Sequence, residues 1–269
     1  MTRPILVALL ATGCAGPTVH LAPSMLPVNG HVRVRVLTDD GNVRVATADI
    51  GQVEMQVDSS GYDPDELELA IVPHGDQVDV IARERRHWHF FDFHHHNLHV
   101  DVRVPRDADV EVRSGDGNVV ASAITGHLDI HTGDGNVAVE QTRGVIRLET
   151  GDGSIEAHDV DGAVAATTGD GNVRLEGRFD ALAVRTGDGN LRATAAPGSR
   201  VVDGWNLHTG DGNVHLNIPH DLQTRLDVRT GDGHVHSEIP LAHGMADLNG
   251  GGPPIVVRTG DGSIALDAL

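Results

Sequence analysis

The chain has 269 residues, enough for one or two domains, but aromatics are only 3% and glycine supplies 33 residues, which excludes a conventional core of large side chains. The formal charge is −19, and all 20 basic residues are arginine, so the surface is acidic and argues against nucleic acid as a partner. The absence of lysine also excludes a Walker A site, a Schiff base and a Ser-x-x-Lys pair.

The N-terminus carries Arg3, the apolar run "ILVALLA" and then "TGC". This is a basic n-region and an h-region too short to span a membrane as a helix. It resembles a bacterial lipoprotein signal, with Ala11, Thr12 and Gly13 in the small-residue places before Cys14. The resemblance implies a signal peptide over 1–13, cleavage before Cys14 and acyl chains on that cysteine. An ordinary cleaved signal with an incidental cysteine is the plainer alternative. Cys14 is the only cysteine, so the chain has no intrachain disulfide. Residues 14–30 hold Pro17, Pro23, Pro27 and Gly30 and read as an extended tether.

Residues 31–113 read as irregular N-terminal β coils. "TDDGNVRVA" at 38–46 places Val43 and Val45 inward, and "GQVEMQV", "DQVDVIA" and "NLHVDVRV" alternate as strands. Within them a His- and aromatic-rich loop spans 83–97. His87, His89, His94, His95, His96 and, just beyond it, His99 are candidate ligands for zinc or copper, because clustered imidazoles bind such ions. Their spacing matches no structural zinc site. The alternative is an exposed hairpin loop whose aromatics pack on the fold or on a partner.

Residues 114–269 repeat. Taken in ninths, 114–194 gives nine units whose sixth and eighth places are apolar, such as Val137/Val139, Ile146/Leu148 and Val173/Leu175. The seventh place is mixed and often charged, as in Arg147, Glu156, Arg174 and Arg192. Period-two alternation marks strands with one buried face. Gly-Asp-Gly occurs in alternate units, so the true period is 18 residues, two strands and two turns. The Asp residues fall at 116, 134, 152, 170 and 188, then at 211, 232 and 261. The wider late intervals read as the same coil with loops at 195–205 and 240–254. A fixed period near 20 indicates a solenoid. The expectation is an all-β, right-handed parallel β-solenoid with ~18-residue coils, capped by the irregular N-terminal part. One coil buries too little to fold alone, so coils must stack ~4.8 Å apart with apolar side chains in continuous columns.

Three further columns follow from stacking. Asp116, Asp134, Asp152, Asp170, Asp188, Asp211, Asp232 and Asp261 share one corner, where calcium would relieve repulsion between carboxylates. The repeat departs from calcium-binding nonapeptides, which favours turn chemistry: Asp accepting backbone hydrogen bonds and flanking glycines at positive φ. The Asn residues at 118, 136, 172, 190 and 213 and the Thr residues at 132, 150, 168 and 186 read as ladders joining coil to coil. His215 and His236 read as outward-facing.

The opening "GHVRVRVLTDDGNVRV", the segment "VDVRVPRDADVEVRSGDGNV", the T-G-D-G-[NSH]-[VIL] series and the closing "GGGPPIVVRTGDGSIAL" together resemble a bacterial family of secreted or lipid-anchored β-solenoids called "putative adhesins", a domain of unknown function. The resemblance covers about 30–269 and implies a cell-surface location rather than a defined activity. No His-Glu-x-x-His, Gly-x-Ser-x-Gly or helix-leading Gly-x-Gly-x-x-Gly is present. The expectation is therefore a non-enzymatic, cofactor-free scaffold of the cell envelope, held to the outer membrane or cell surface by lipid. Its partner would be a glycan, a peptidoglycan strand or another envelope protein. The alternatives are a metal-binding module built on 87–99 and a glycan-active β-helix enzyme.

Overall fold

A computed structural model describes residues 18–20, 23–62, 64–85 and 97–269. Among them the only helical segment is a single 3₁₀ turn, Pro64–Glu66; the other elements are strands. The chain divides into two compact units, Met1–Gly133 and Asp134–Leu269.

The first unit contains β1 (Thr18–His20), β2 (Ser24–Pro27), β3 (Val32–Thr38), β4 (Asn42–Ala48), β5 (Gln52–Ser60), β6 (Leu67–His74), β7 (Gln77–Glu84), β8 (Asn97–Pro105), β9 (Ala108–Arg113), β10 (Val119–Ser122) and β11 (Thr125–Thr132). β3 lies parallel between β7 and β9, with Val34 opposite both Val78 and Val110. β4 lies parallel between β8 and β10, with Val43 opposite both Val100 and Val119. All six valines are buried, so alternation builds two layers of inward side chains. β6 runs antiparallel along β7, and β5 antiparallel along β8. These strands cover edges that would otherwise expose unpaired amides and carbonyls.

The stretch expected to be a tether, 14–30, is partly strand. Ser24–Pro27 and Thr18–His20 pair antiparallel with β5, Ser24 facing Met55 and Thr18 facing Ser60. The free edge of β5 supplies the partners, and a strand end on an edge tolerates Pro27.

The second unit contains β12 (Val137–Glu140), β13 (Arg143–Thr150), β14 (Ile155–Thr167), β15 (Val173–Thr186), β16 (Leu191–Ala195), β17 (Trp205–Thr209), β18 (Val214–Ile218), β19 (Thr224–Thr230), β20 (Val235–Ser237), β21 (Met245–Leu248), β22 (Pro254–Thr259) and β23 (Ile264–Ala268). Parallel pairing joins residues 18 apart, as in Val137 with Ile155 and Ile155 with Val173. One inward column runs Val137, Ile155, Val173, Leu191, Val214, Ile264. The other runs Ile146, Val164, Leu182, Trp205, Ile255, Leu226. Every member is buried, Val137 and Val173 to 1% exposure, which places the core where the alternation put it. Phe179 meets Trp205 edge-to-face at 6.0 Å, filling the wider coil beside the 196–204 loop.

Three details differ from expectation. First, the second turn of a coil does not always interrupt the strand. β14 runs 13 residues and β15 runs 14. The bend in β14 is made by Asp159 at φ 54° and Gly162 at φ 135°, which turn the chain without ending its ladder. Second, the region 240–254 is not only a loop: Met245–Leu248 pairs antiparallel with β19. Third, coils do not stack in chain order. The final coil, β22 and β23, sits between β17/β18 and β19/β20, so Ile255 faces both Trp205 and Leu226 and Ile264 faces both Val214 and Val235.

The glycines of the Gly-Asp-Gly turns also have a different cause. None of them has positive φ among the described residues. A Cβ on Gly171 would stand 2.0 Å from the Gly153 carbonyl oxygen, and one on Gly189 1.9 Å from that of Gly171. Stacked backbones, not a special dihedral angle, exclude a side chain here.

Candidate functional site

At the Gly-Asp-Gly corner each threonine hydroxyl donates to a glycine carbonyl of the neighbouring coil. The distances are 2.8 Å for Thr150 to Gly135, 2.7 Å for Thr168 to Gly153, 2.9 Å for Thr186 to Gly171 and 2.8 Å for Thr259 to Gly212. The asparagines form the expected ladder. Asn190 Nδ2 donates to Asn172 Oδ1 at 3.2 Å, and Asn213 Nδ2 donates to Asn190 Oδ1 at 3.1 Å. Both rows tie coils together and hold the exposed Asn side chains in one line.

The turn aspartates Asp116, Asp134, Asp152, Asp170, Asp188, Asp211, Asp232 and Asp261 are all exposed. No three His, Cys, Asp or Glu side chains among the described residues converge to hold a metal ion. His87, His89, His94, His95 and His96 lie outside the described residues, as does Cys14. His99 is described: it lies on β8, half-buried, with Nε2 3.4 Å from the Asp101 carboxylate.

Beside the Asn ladder, the seventh places of the repeat make a column. Glu156, Arg174, Arg192, His215, Ala265 and His236 are successive register partners on β14, β15, β16, β18, β23 and β20. Asn172, Asn190, Asn213 and Ser263 form one wall and this column the other wall of a shallow groove of about 530 Å³. Ala265 leaves a notch, because its neighbours in the column are both histidines. The side chains are braced from the next outward place. Arg174 Nη2 donates to Glu176 Oε1 at 2.7 Å, and His215 Nε2 lies 2.7 Å from Asp267 Oδ2. The Arg174 hydrogen bond, with help from His158, holds the Glu176 carboxyl below its usual range. Arg192 has no ion pair among the described residues, so its guanidinium is available to a ligand. The groove offers amide, guanidinium, imidazole and carboxylate groups at fixed spacing, a set that grips hydroxyl-bearing ligands by paired hydrogen bonds.

The sequence pattern placed His215 and His236 outward, and both are, but it did not join them to Arg174 and Arg192. The mixed seventh place was the signal; only the register shows that its residues stand in one row.

Residues 31–249 match the Toastrack DUF4097 family. The chain belongs to that family. Solved structures of similar fold include the following two. One is titled a "putative adhesin" from Bacteroides fragilis NCTC 9343, 12% identical over 92% of this chain and 96% of its own, with a TM-score of 0.51. The other is titled a "putative lipid binding protein" from Parabacteroides distasonis ATCC 8503, 13% identical over 91% of this chain and 96% of its own, with a TM-score of 0.51. No curated protein matches the chain. These likenesses establish an all-β Toastrack fold of solenoid-like character; at such identity they carry no ligand.

Proposed function

We propose that this Toastrack protein is a non-enzymatic binding scaffold of the bacterial cell envelope, wound as a right-handed solenoid and tethered by lipid on Cys14. Its ligand is a glycan, bound in the groove between the Asn172–Asn190–Asn213 ladder and the Arg174–Arg192–His215 column. The observation that carries this reading is the groove itself: exposed donors and acceptors repeat from rank to rank along a backbone stiffened by ladders. Repetition makes weak contacts additive along an extended ligand. The two structural neighbours, one named an adhesin and the other a lipid binding protein, fit a surface role.

A panel of oligosaccharides, neutral glycans together with peptidoglycan fragments, tests the assignment. The expected result is retention of at least one long oligosaccharide and at least a fivefold loss of affinity on Arg192→Ala. Retention of none would contradict the glycan reading, and release of shortened products would contradict the non-enzymatic one. The anchor has its own test: Cys14→Ser should move the exported protein from the membrane fraction to the soluble fraction, and persistence on the membrane overturns it.

A further inference from the structure

A second face of the same unit has different chemistry. On the strand set β13, β14, β15, β17, β22 and β19, one outward column runs Glu149, Thr167, Arg185, His208, Arg258, Arg229. The outward column beside it runs Arg147, Ala165, Ala183, Asn206, Val256, Asp227. These two columns hold four arginines against two carboxylates, in a chain whose net charge is −19. Three of the arginines and His208 occupy four consecutive ranks. A positive strip on so acidic a surface concentrates attraction for an anion.

The strip is not neutralised from within. Arg229 and Arg258 share the single carboxylate of Asp227, at 2.9 and 3.9 Å, and both guanidinium side chains are more than half exposed. Arg185 makes no ion pair among the described residues. Ala165, Ala183 and Asn206 form a low shelf beside Arg185 and His208, part of a depression of about 170 Å³. Ranks repeat every ~4.8 Å, so the four ranks from Arg185 to Arg229 span about 14 Å. That repeat is close to one sugar of an extended polysaccharide.

The surroundings decide between a chain and a plane. Each column residue is followed three places later by an exposed turn aspartate: Thr167 by Asp170, Arg185 by Asp188, His208 by Asp211, Arg258 by Asp261, Arg229 by Asp232. A flat anionic membrane laid on this face meets that aspartate row as well as the arginines. A linear polyanion one residue wide meets the arginines, His208 and the one carboxylate of Asp227. We propose that the strip Arg185–His208–Arg258–Arg229 binds a linear carboxylated polysaccharide, laid along the column with its protein-facing uronate carboxylates on the arginines. Guanidinium groups suit this ligand because they pair with carboxylates through two parallel hydrogen bonds. The site lies on a different strand set from the groove assigned above and goes beyond that assignment.

The test is calorimetric titration of the full chain with sodium polygalacturonate, against the fully methyl-esterified polymer of the same length. The expected result is binding to the acid form only, weakened at least tenfold by raising salt from about 0.05 to 0.5 M. The double variant Arg185→Ala/Arg258→Ala should lose at least tenfold in affinity with an unchanged melting temperature. Thr167→Arg, which extends the column by one rank, should tighten binding several-fold, an effect misfolding cannot mimic. Arg106→Ala, which removes an exposed arginine outside both sites, should leave polygalacturonate binding unchanged, which separates this strip from general attraction to surface arginines. Equal binding of the esterified polymer, insensitivity to the double variant, or equal affinity for single-stranded DNA or phosphatidylglycerol vesicles overturns the proposal.

Discussion

A methyl group on Gly171 would lie 2.0 Å from the Gly153 carbonyl oxygen, whereas one on Gly51 meets nothing within 4 Å. Gly171→Ala should therefore destabilise the second unit by about 1–3 kcal/mol or more, while Gly51→Ala changes stability little; urea denaturation of both variants checks the contrast. Thr186, 2% exposed, donates its hydroxyl to Gly171. Thr186→Val leaves that carbonyl without its side-chain donor and should cost about 1–3 kcal/mol in the same assay. The repeat made both residues visible in the sequence, but suggested the wrong reason for the glycines. Dihedral need and close approach leave the same mark on a single sequence, and only the inter-coil distance separates them. His31 shows a residue the repeat could not reveal, since its partners come from β9 and the turn before it. Its ring nitrogens lie 2.8 Å from the Asp107 carboxylate and 3.2 Å from Asp109, and hydrogen bonding to the two raises its pKa above 6.5. A raised folded-state value means the contribution is full below about pH 6.5 and disappears as pH rises through the folded value. Melting temperature should accordingly fall between about pH 6 and 8 more in the wild type than in His31→Gln, and parallel curves would remove His31 from the account.

At the scale of elements, the placement of the C-terminal coil governs stability. Ile255, Val257, Ile264 and Leu266 are all buried to 1% exposure or less, and β22 and β23 are paired on both sides. In a stack built in chain order the last coil is an end, and removing it peels one layer. Here removal of 254–269 opens the unit between β17/β18 and β19/β20 and exposes strand edges on both sides of the gap. The truncated chain should lose cooperative unfolding or aggregate. In the intact chain, the amides of Val257 and Leu266 should exchange as slowly as those of Leu207 and Leu216 in the preceding coil. Fast exchange at Val257 alone would contradict the pairing. Strand positions were legible because inward residues alternate so strictly, from Val32 to Leu266. Coil order was not, because the turns at Thr209, Thr230 and Thr259 carry nearly the same residues and any one can dock on any other. The interval of 29 residues between Asp232 and Asp261 was the only trace of the rearrangement.

At the scale of the whole molecule, the net charge of −19 sets a background against which the arrangement of arginines matters more than their number. Composition alone reads as an acidic surface that repels polyanions. The register converts scattered residues, Arg185, His208, Arg258 and Arg229, into one row, and the insertion of β22 between β17 and β19 sets the order within it. Cysteine pairs in a Cys14→Ser chain test that order directly. Asn206 and Val256 are register partners about 4.8 Å apart, within disulfide range, whereas Asn206 and Asp227 are two ranks, ~9.6 Å, apart. Under mild oxidation Asn206→Cys/Val256→Cys should close an intramolecular disulfide and Asn206→Cys/Asp227→Cys should remain reduced. Closure of the second pair, with the first left as free thiols, would mean that the coils stack in chain order and would contradict the pairing of β22 with both β17 and β19.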